Sequence, residues 1–191
     1  MTKIIALIIL LFSFNANAGV YVEPYAGTET GEVTGKSYAG TTETKVDKDW
    51  SGSSYGLKLG YAFLDQTFGI GLDYMSGSYT GEDNVDPTLA DVDYDGEDIG
   101  AFVFLDLPLF VKLQATYFFS STFDGTEDSI GKATYEGSGY KAGISFTMIP
   151  FIGINVDFIQ LNYDDVDNPT LTKIDIDRES VLVSGSLRLD F

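Results

Sequence analysis

Residues 91–96 read Asp-Val-Asp-Tyr-Asp-Gly. Asp91, Asp93 and Asp95 alternate before Gly96, an order that supplies hard oxygen ligands and then a sharp turn, as at the start of a calcium loop. The twelfth position of such a loop, where an EF-hand needs Glu, is Phe102, so an EF-hand is excluded and calcium is the one cofactor the segment suggests. Glu82, Asp83, Asp86, Glu97 and Asp98 surround the string, and Asp164, Asp165 and Asp167 form a second acidic stretch. A solvated acidic loop has the same composition. Other chemistries lack their groups. The chain has no Cys and no His, which removes thiol chemistry, disulfides and the commonest general base and metal ligand. Adjacent acids such as Asp164 and Asp165 can do acid–base work in principle, but on an acidic loop they are more simply solvated. The expectation is a protein without catalysis.

A second set of charges stands alone inside apolar stretches: Glu23, Asp73, Asp106, Asp157 and Asp190 against Lys58, Lys112, Lys141 and Arg188. Their meaning depends on the elements that hold them. Beyond residue 19 the apolar residues alternate with period two, and helical periodicity is absent. Eight strand-like segments result: 20–28, 53–64, 68–79, 98–107, 110–120, 139–149, 151–163 and a C-terminal strand. In the second, Tyr55, Leu57, Leu59, Tyr61 and Phe63 share one face and Gly56, Lys58, Gly60 and Ala62 the other. In the fifth, Val111, Leu113, Ala115, Tyr117 and Phe119 oppose Lys112, Gln114, Thr116 and Phe118. In the seventh the phase slips near Ile159, where either a β-bulge or a misplaced boundary accounts for the change. The connections alternate. Three are tight, at 65–67, Pro108 and Pro150, and four are long and polar, at 29–52, 80–97, 121–138 and 164–179. Three short turns and four long loops give an even strand number, with both termini on the short-turn side.

Residues 1–18 read as a secretory signal peptide. Lys3 opens it, 4–12 form an apolar run too short to span a bilayer, and Ala16-Asn17-Ala18 is an A-x-A cleavage site. The remaining domain, 19–191, loses only the charge of Lys3, so the chain's net −18 becomes −19 (10 bases against 29 acids). That balance argues against nucleic acid, whose phosphates need a basic surface. No later apolar run is long enough for a spanning helix, so entry into a membrane requires a closed barrel.

A soluble barrel points its apolar side inward. Here the polar side is rich in Gly and Ser, which suits the crowded interior of a narrow barrel, and the apolar side is broad with Tyr and Phe near its ends. The expected fold is all-β: an eight-stranded antiparallel up-and-down transmembrane barrel. The nine isolated charges then face the lumen and must pair, with Phe102, Phe104 and Phe118 helping to fill it. Trp50 is expected at the outer membrane interface. The C-terminal strand places Val181, Val183, Leu187, Leu189 and Phe191 on one face, and a terminal aromatic closing such a strand resembles the sorting signal of bacterial outer-membrane barrels, with Leu187, Leu189 and Phe191 carrying it. The chain resembles the small eight-stranded outer-membrane proteins of the OmpX and OmpW type and the membrane domain of OmpA. That resemblance implies a bacterial outer-membrane location, periplasmic termini, extracellular loops, and outer-membrane lipid and the barrel assembly machinery as partners. It implies a role in envelope structure or in contact with a surface partner through the acidic loops. A narrow channel for small solutes or ions is the alternative.

Overall fold

The period-two pattern becomes a closed barrel. The computed structural model describes residues 19–39, 42–64, 66–84, 91–128, 131–149, 151–167 and 173–190. Residues 1–18, Phe191 and the side chain of Asp190 lie outside the described residues. The strands are β1 (Gly19–Ala39), β2 (Thr42–Phe63), β3 (Phe68–Asp83), β4 (Val92–Leu107), β5 (Val111–Asp128), β6 (Gly131–Ile149), β7 (Ile152–Asp167) and β8 (Lys173–Leu187), which a two-residue β9 (Leu189–Asp190) continues. Each pairs antiparallel with its sequence neighbour. β1 also pairs with β8 and β9, which closes the ring and leaves no free edge along the wall.

The strands run well past the expected boundaries. Most of 29–52, 80–97, 121–138 and 164–179, read from sequence as long loops, is regular ladder. Glu29 pairs with Gly52, Tyr79 with Tyr94, and Thr122 with Glu136. Polarity marks where the wall leaves lipid. It does not mark where the strand stops, because the ladder still satisfies the backbone beyond that point.

The exterior carries an apolar belt. On β3 it comprises Phe68, Ile70, Leu72 and Tyr74; on β4, Ile99, Val103 and Leu105; on β7, Ile152, Ile154, Val156 and Phe158, all exposed. Such a band on the outer wall of a closed barrel is the surface a bilayer covers. Above it the exterior turns polar, with Ser78, Thr80, Asp93, Asp95 and Glu97 on β3 and β4.

The phase slip expected at Ile159 does not occur. From Ile152 to Tyr163 β7 alternates without interruption, and Ile159, Leu161 and Tyr163 point inward in register with Gly153, Asn155 and Asp157. What changes there is the polarity of the two faces. Register shifts fall elsewhere. Ile99 pairs with Ser120 and Gly100 with Phe118, leaving Phe119 as an extra residue of β5. Glu136 pairs with Asp165 and Gly137 with Tyr163, leaving Asp164 extra on β7.

The interior is therefore two cores stacked end to end. Near the short turns Tyr21, Ala62, Phe102 and Phe104 pack together. The Phe104 ring lies where a side chain on Gly69 would stand, since a Cβ there would come within 2.0 Å of it. Toward the long loops a larger cluster includes Trp50, Tyr79, Phe123, Leu161, Ile174 and Leu182. Between them lies the layer of charges.

Candidate functional site

β1 to β8 each contribute alternate residues to the lumen, so charges far apart in sequence meet there. Lys112 on β5 reaches Glu23 on β1 at 2.5 Å and also donates to the Tyr21 hydroxyl. Lys141 on β6 pairs with Asp73 on β3 at 2.8 Å. Tyr25 and Thr116 donate hydrogen bonds to the same carboxylate, at 2.9 and 2.8 Å. Lys58 donates to the Gln114 amide oxygen at 2.8 Å, and the Gln114 amide donates to Asp157 at 2.6 Å, so Gln114 bridges Lys58 to Asp157. Two ammonium groups lie against the Tyr25 ring, Lys58 at 4.9 Å and Lys141 at 4.7 Å from its centroid. At the short-turn end Arg188 pairs with Asp106 and lies over the Tyr21 and Phe104 rings.

Above the belt is a second charged centre that the sequence reading missed. Arg178 of β8 is wholly buried. It pairs with Glu29 of β1 at 2.9 Å and lies 3.9 Å from Asp98 of β4. Its guanidinium stands 4.6 Å from the Trp50 ring centroid, 4.7 Å from Tyr79 and 5.1 Å from Phe123, an aromatic cage around a cation. Ser54, Tyr79 and Ser180 all donate to Glu29, while Ser121 donates to Asp98 and its oxygen lies 3.1 Å from the Tyr163 hydroxyl. Burial pushes Glu29 up, but Arg178 and these hydroxyl donors outweigh it and hold the carboxyl below its usual range. Asp98 sits one residue beyond Ile99, the first belt residue of β4. Burial outweighs Arg178 and Ser121 there and raises its carboxyl to about 6.

Parity was the signal for this centre. Arg178 shares its face with Ser180, Leu182 and Ser184, and Glu29 shares its face with Glu23 and Tyr25. Both fell in segments read as loops, so the parity was not extended to them. Trp50 is corrected for the same reason. It does not anchor an interface; it is 4% exposed inside the barrel, edge-on to Tyr79 at 4.5 Å.

The aspartate string is also not a loop. Asp93 and Asp95 lie on β4 facing outward, where Thr80 and Ser78 of β3 donate to them at 3.0 and 2.8 Å, and Asp91 is exposed just before the strand. A strand spaces alternate carboxylates along a line and does not wrap them around an ion. Among the described residues no group of three acidic side chains is placed to hold a metal. Leu187 and Leu189 lie near the seam with β1, Leu187 facing outward, and Phe191 lies outside the described residues.

No family model matches the chain, and no curated protein matches it in sequence. Solved structures do match. Ail, the attachment invasion locus protein of Yersinia pestis, solved in complex with the heparin analogue sucrose octasulfate, aligns over 89% of this chain and 99% of its own at 16% identity and a TM-score of 0.57. The outer membrane protein OprG from Pseudomonas aeruginosa aligns over 92% and 98% at 13% identity and a TM-score of 0.54. Neisserial surface protein A aligns over 91% and 99% at 16% identity and a TM-score of 0.50. The fold is that of the small outer-membrane β-barrels. At these identities the likeness concerns the architecture alone.

Proposed function

We propose that this is a non-enzymatic barrel of the bacterial outer membrane, with the short turns and termini on the periplasmic side and the long-loop end outside the cell. Its role is to strengthen the envelope and to present an acidic extracellular surface. The observation that carries this reading is the filled interior. Rings of Tyr21, Phe102 and Phe104 close the short-turn end, ion pairs fill the middle, and the Arg178 cage closes the loop end. An eight-stranded lumen is just wide enough for its own side chains, and here they occupy it.

The exterior above the belt gives the kind of surface partner. Glu32, Asp49, Glu97, Glu136, Asp164 and Glu179 face outward there, whereas Lys36 and Lys45 are paired with Glu43 and Asp47. A polyanion such as the one bound to the Yersinia pestis protein would meet carboxylates on this wall, so a partner with a cationic face fits instead.

The test has two parts. Cells expressing the full chain are fractionated, and the membrane fraction is run on a gel with and without boiling. An outer-membrane band whose mobility changes on boiling is expected for a closed barrel. Purified protein in planar bilayers is then expected to show no discrete conductance. A step conductance that changes when Lys58 or Asp73 is neutralised would overturn the filled-lumen reading in favour of a narrow channel.

A further inference from the structure

Each of the three short turns carries at least one apolar side chain where tight turns ordinarily use Gly or Asn, with the polar Gln66, at φ 69°, sharing the β2–β3 turn. Leu64 in the β2–β3 turn, Leu109 and Phe110 in the β4–β5 turn, and Phe151 in the β6–β7 turn have φ values of 53°, 74°, 64° and 77°. This is the left-handed region, which a residue with a Cβ enters only against a steric penalty. The side chains are also among the most exposed apolar groups described, at 67%, 87%, 76% and 61%. Yet these turns are held firmly. The Phe110 carbonyl accepts from the Thr147 amide at 2.8 Å, the Phe151 carbonyl from the Arg188 amide at 2.7 Å, and the Thr67 carbonyl from the Asp106 amide at 2.7 Å. In water Gly or Asn at these positions would relieve the backbone and remove exposed apolar surface. Two separate penalties at one place call for an apolar surrounding.

The height of the belt points to what that surrounding is. On β3 the apolar exterior covers residues 68–74 and on β7 it covers 152–158, while on β2 it covers 55–63 and on β5 111–119. Seven to nine tilted strand residues span roughly 15–22 Å along the barrel axis, short of the apolar band of about 25 Å that transmembrane barrels present. The strands cannot supply the difference at the loop end, where Ser76 and Asn162 follow. At the other end the turns add Leu64, Leu109, Phe110 and Phe151 to the apolar surface, beside the polar Gln66 and Thr67.

We propose that the three turn tips are lipid anchors: Leu64, Leu109, Phe110 and Phe151 insert into the bilayer leaflet at the short-turn end and complete the hydrophobic thickness. The occupant of this surface is the acyl region just beneath the headgroups, continuous with the lipid around the belt. This inference rests on the membrane reading above.

The full chain, refolded into phosphatidylcholine vesicles with brominated acyl chains, tests it. Phe110→Trp and Phe151→Trp are compared with a belt control, Ile154→Trp, and the signal of buried Trp50 in the parent protein is subtracted. Both turn variants are expected to show blue-shifted emission, stronger quenching by bromine placed near the headgroup than at the chain centre, and protection from aqueous iodide. Iodide quenching of the turn tryptophans, with Ile154→Trp still quenched by bromolipid, would overturn the anchor and leave the tips for a protein partner or a second copy. Failure of Ile154→Trp itself to be quenched would instead sink the membrane reading. The double variant Leu109→Asn, Phe110→Gly gives an independent sign. It lowers the urea midpoint in vesicles if the turn lies in lipid, and raises it if the turn lies in water, where only the backbone relief remains.

Discussion

The two halves of the barrel share eight strands and one side-chain parity, yet they are built inside out relative to each other. In the belt half the exterior is Leu, Ile, Val and Tyr and the interior holds Lys58, Asp73, Lys112 and Lys141. In the loop-end half the exterior is Ser, Thr, Asp and Glu and the interior holds Trp50, Tyr79, Phe123, Leu161 and Ile174. The solvent outside explains the inversion. Lipid accepts apolar side chains and leaves polar ones no place but the lumen, whereas water restores the ordinary arrangement. The change of solvent falls within one or two residues on each strand. On β7 it lies between Phe158 and Gln160, with no break in the ladder. The loop-end half is thus a water-type barrel mounted on a membrane-type barrel. The exception is the buried cluster of Arg178 with Glu29 and Asp98, charges kept inside a half whose interior is mostly apolar.

That exception gives the largest expected effect. Arg178→Ala leaves Glu29 buried without its cation, and breaking a buried pair by removing one partner costs about 3–5 kcal/mol. The double variant Arg178→Leu, Glu29→Leu should recover much of this. Urea unfolding followed by Trp50 fluorescence checks both, since Trp50 packs on the guanidinium. Equal losses in the single and double variants would mean that the cage itself carries the stability and the ion pair does not.

The next test contrasts the two exteriors along one strand. Leu59→Lys places a charge in the belt and should cost about 2–4 kcal/mol, less if it lies near the interface. Ser53→Lys, six residues away on the same outer face of β2, should change stability by no more than about 0.5 kcal/mol. Similar costs at both sites would erase the boundary between the halves.

A pH effect of up to about 3 kcal/mol is expected in the loop-end half, from the rise of the Asp98 carboxyl from 3.8 to about 6. Because its value is raised on folding, the folded state keeps a proton that the unfolded chain releases. Its stabilising contribution is complete below about pH 4 and is lost as pH rises through about 6. Glu29, held low, has the opposite sign and loses its contribution as pH falls through its folded value. Unfolding midpoints measured between about pH 4 and 7 should fall with pH in the parent protein and flatten in Asp98→Asn. An unchanged slope in that variant would remove Asp98 as the source.

The smallest expected effect is that of calcium. With Asp93 and Asp95 lined up along a strand, isothermal titration at roughly millimolar Ca²⁺ should give no saturable heat. A saturable isotherm abolished by Asp93→Asn would show that the acidic exterior gathers an ion despite its strand geometry.

The belt half was legible in the sequence because lipid imposes a strict alternation: Tyr55, Leu57, Leu59, Tyr61 against Gly56, Lys58, Gly60 leaves one choice of faces. The short turns and the inward Phe102, Phe104 and Phe118 followed from the same count. The loop-end half was not legible, because its outward Ser, Thr and Asp look like loop composition and its inward aromatics arrive on what had been the polar face. At Ile159 the inversion of polarity imitated a change of phase. Extra residues such as Phe119 and Asp164 left no mark in composition. Which lysine takes which carboxylate also lies beyond a one-dimensional reading, since strand tilt decides that Asp73 meets Lys141 while Lys58 turns to Gln114.

The seam sets a kinetic condition on all of this. Glu29 and Arg178 are 149 residues apart in sequence, and they meet only where β1 pairs with β8. Every other pairing joins adjacent hairpins and can form as the chain folds locally; this one must wait for the last strand. Until it arrives, β1 and β7 present unsatisfied backbone edges that lipid cannot hydrate, so the barrel is expected to cross into the membrane and close in a single late step. A chain halted before β8 would remain an open sheet and a substrate for aggregation or proteolysis.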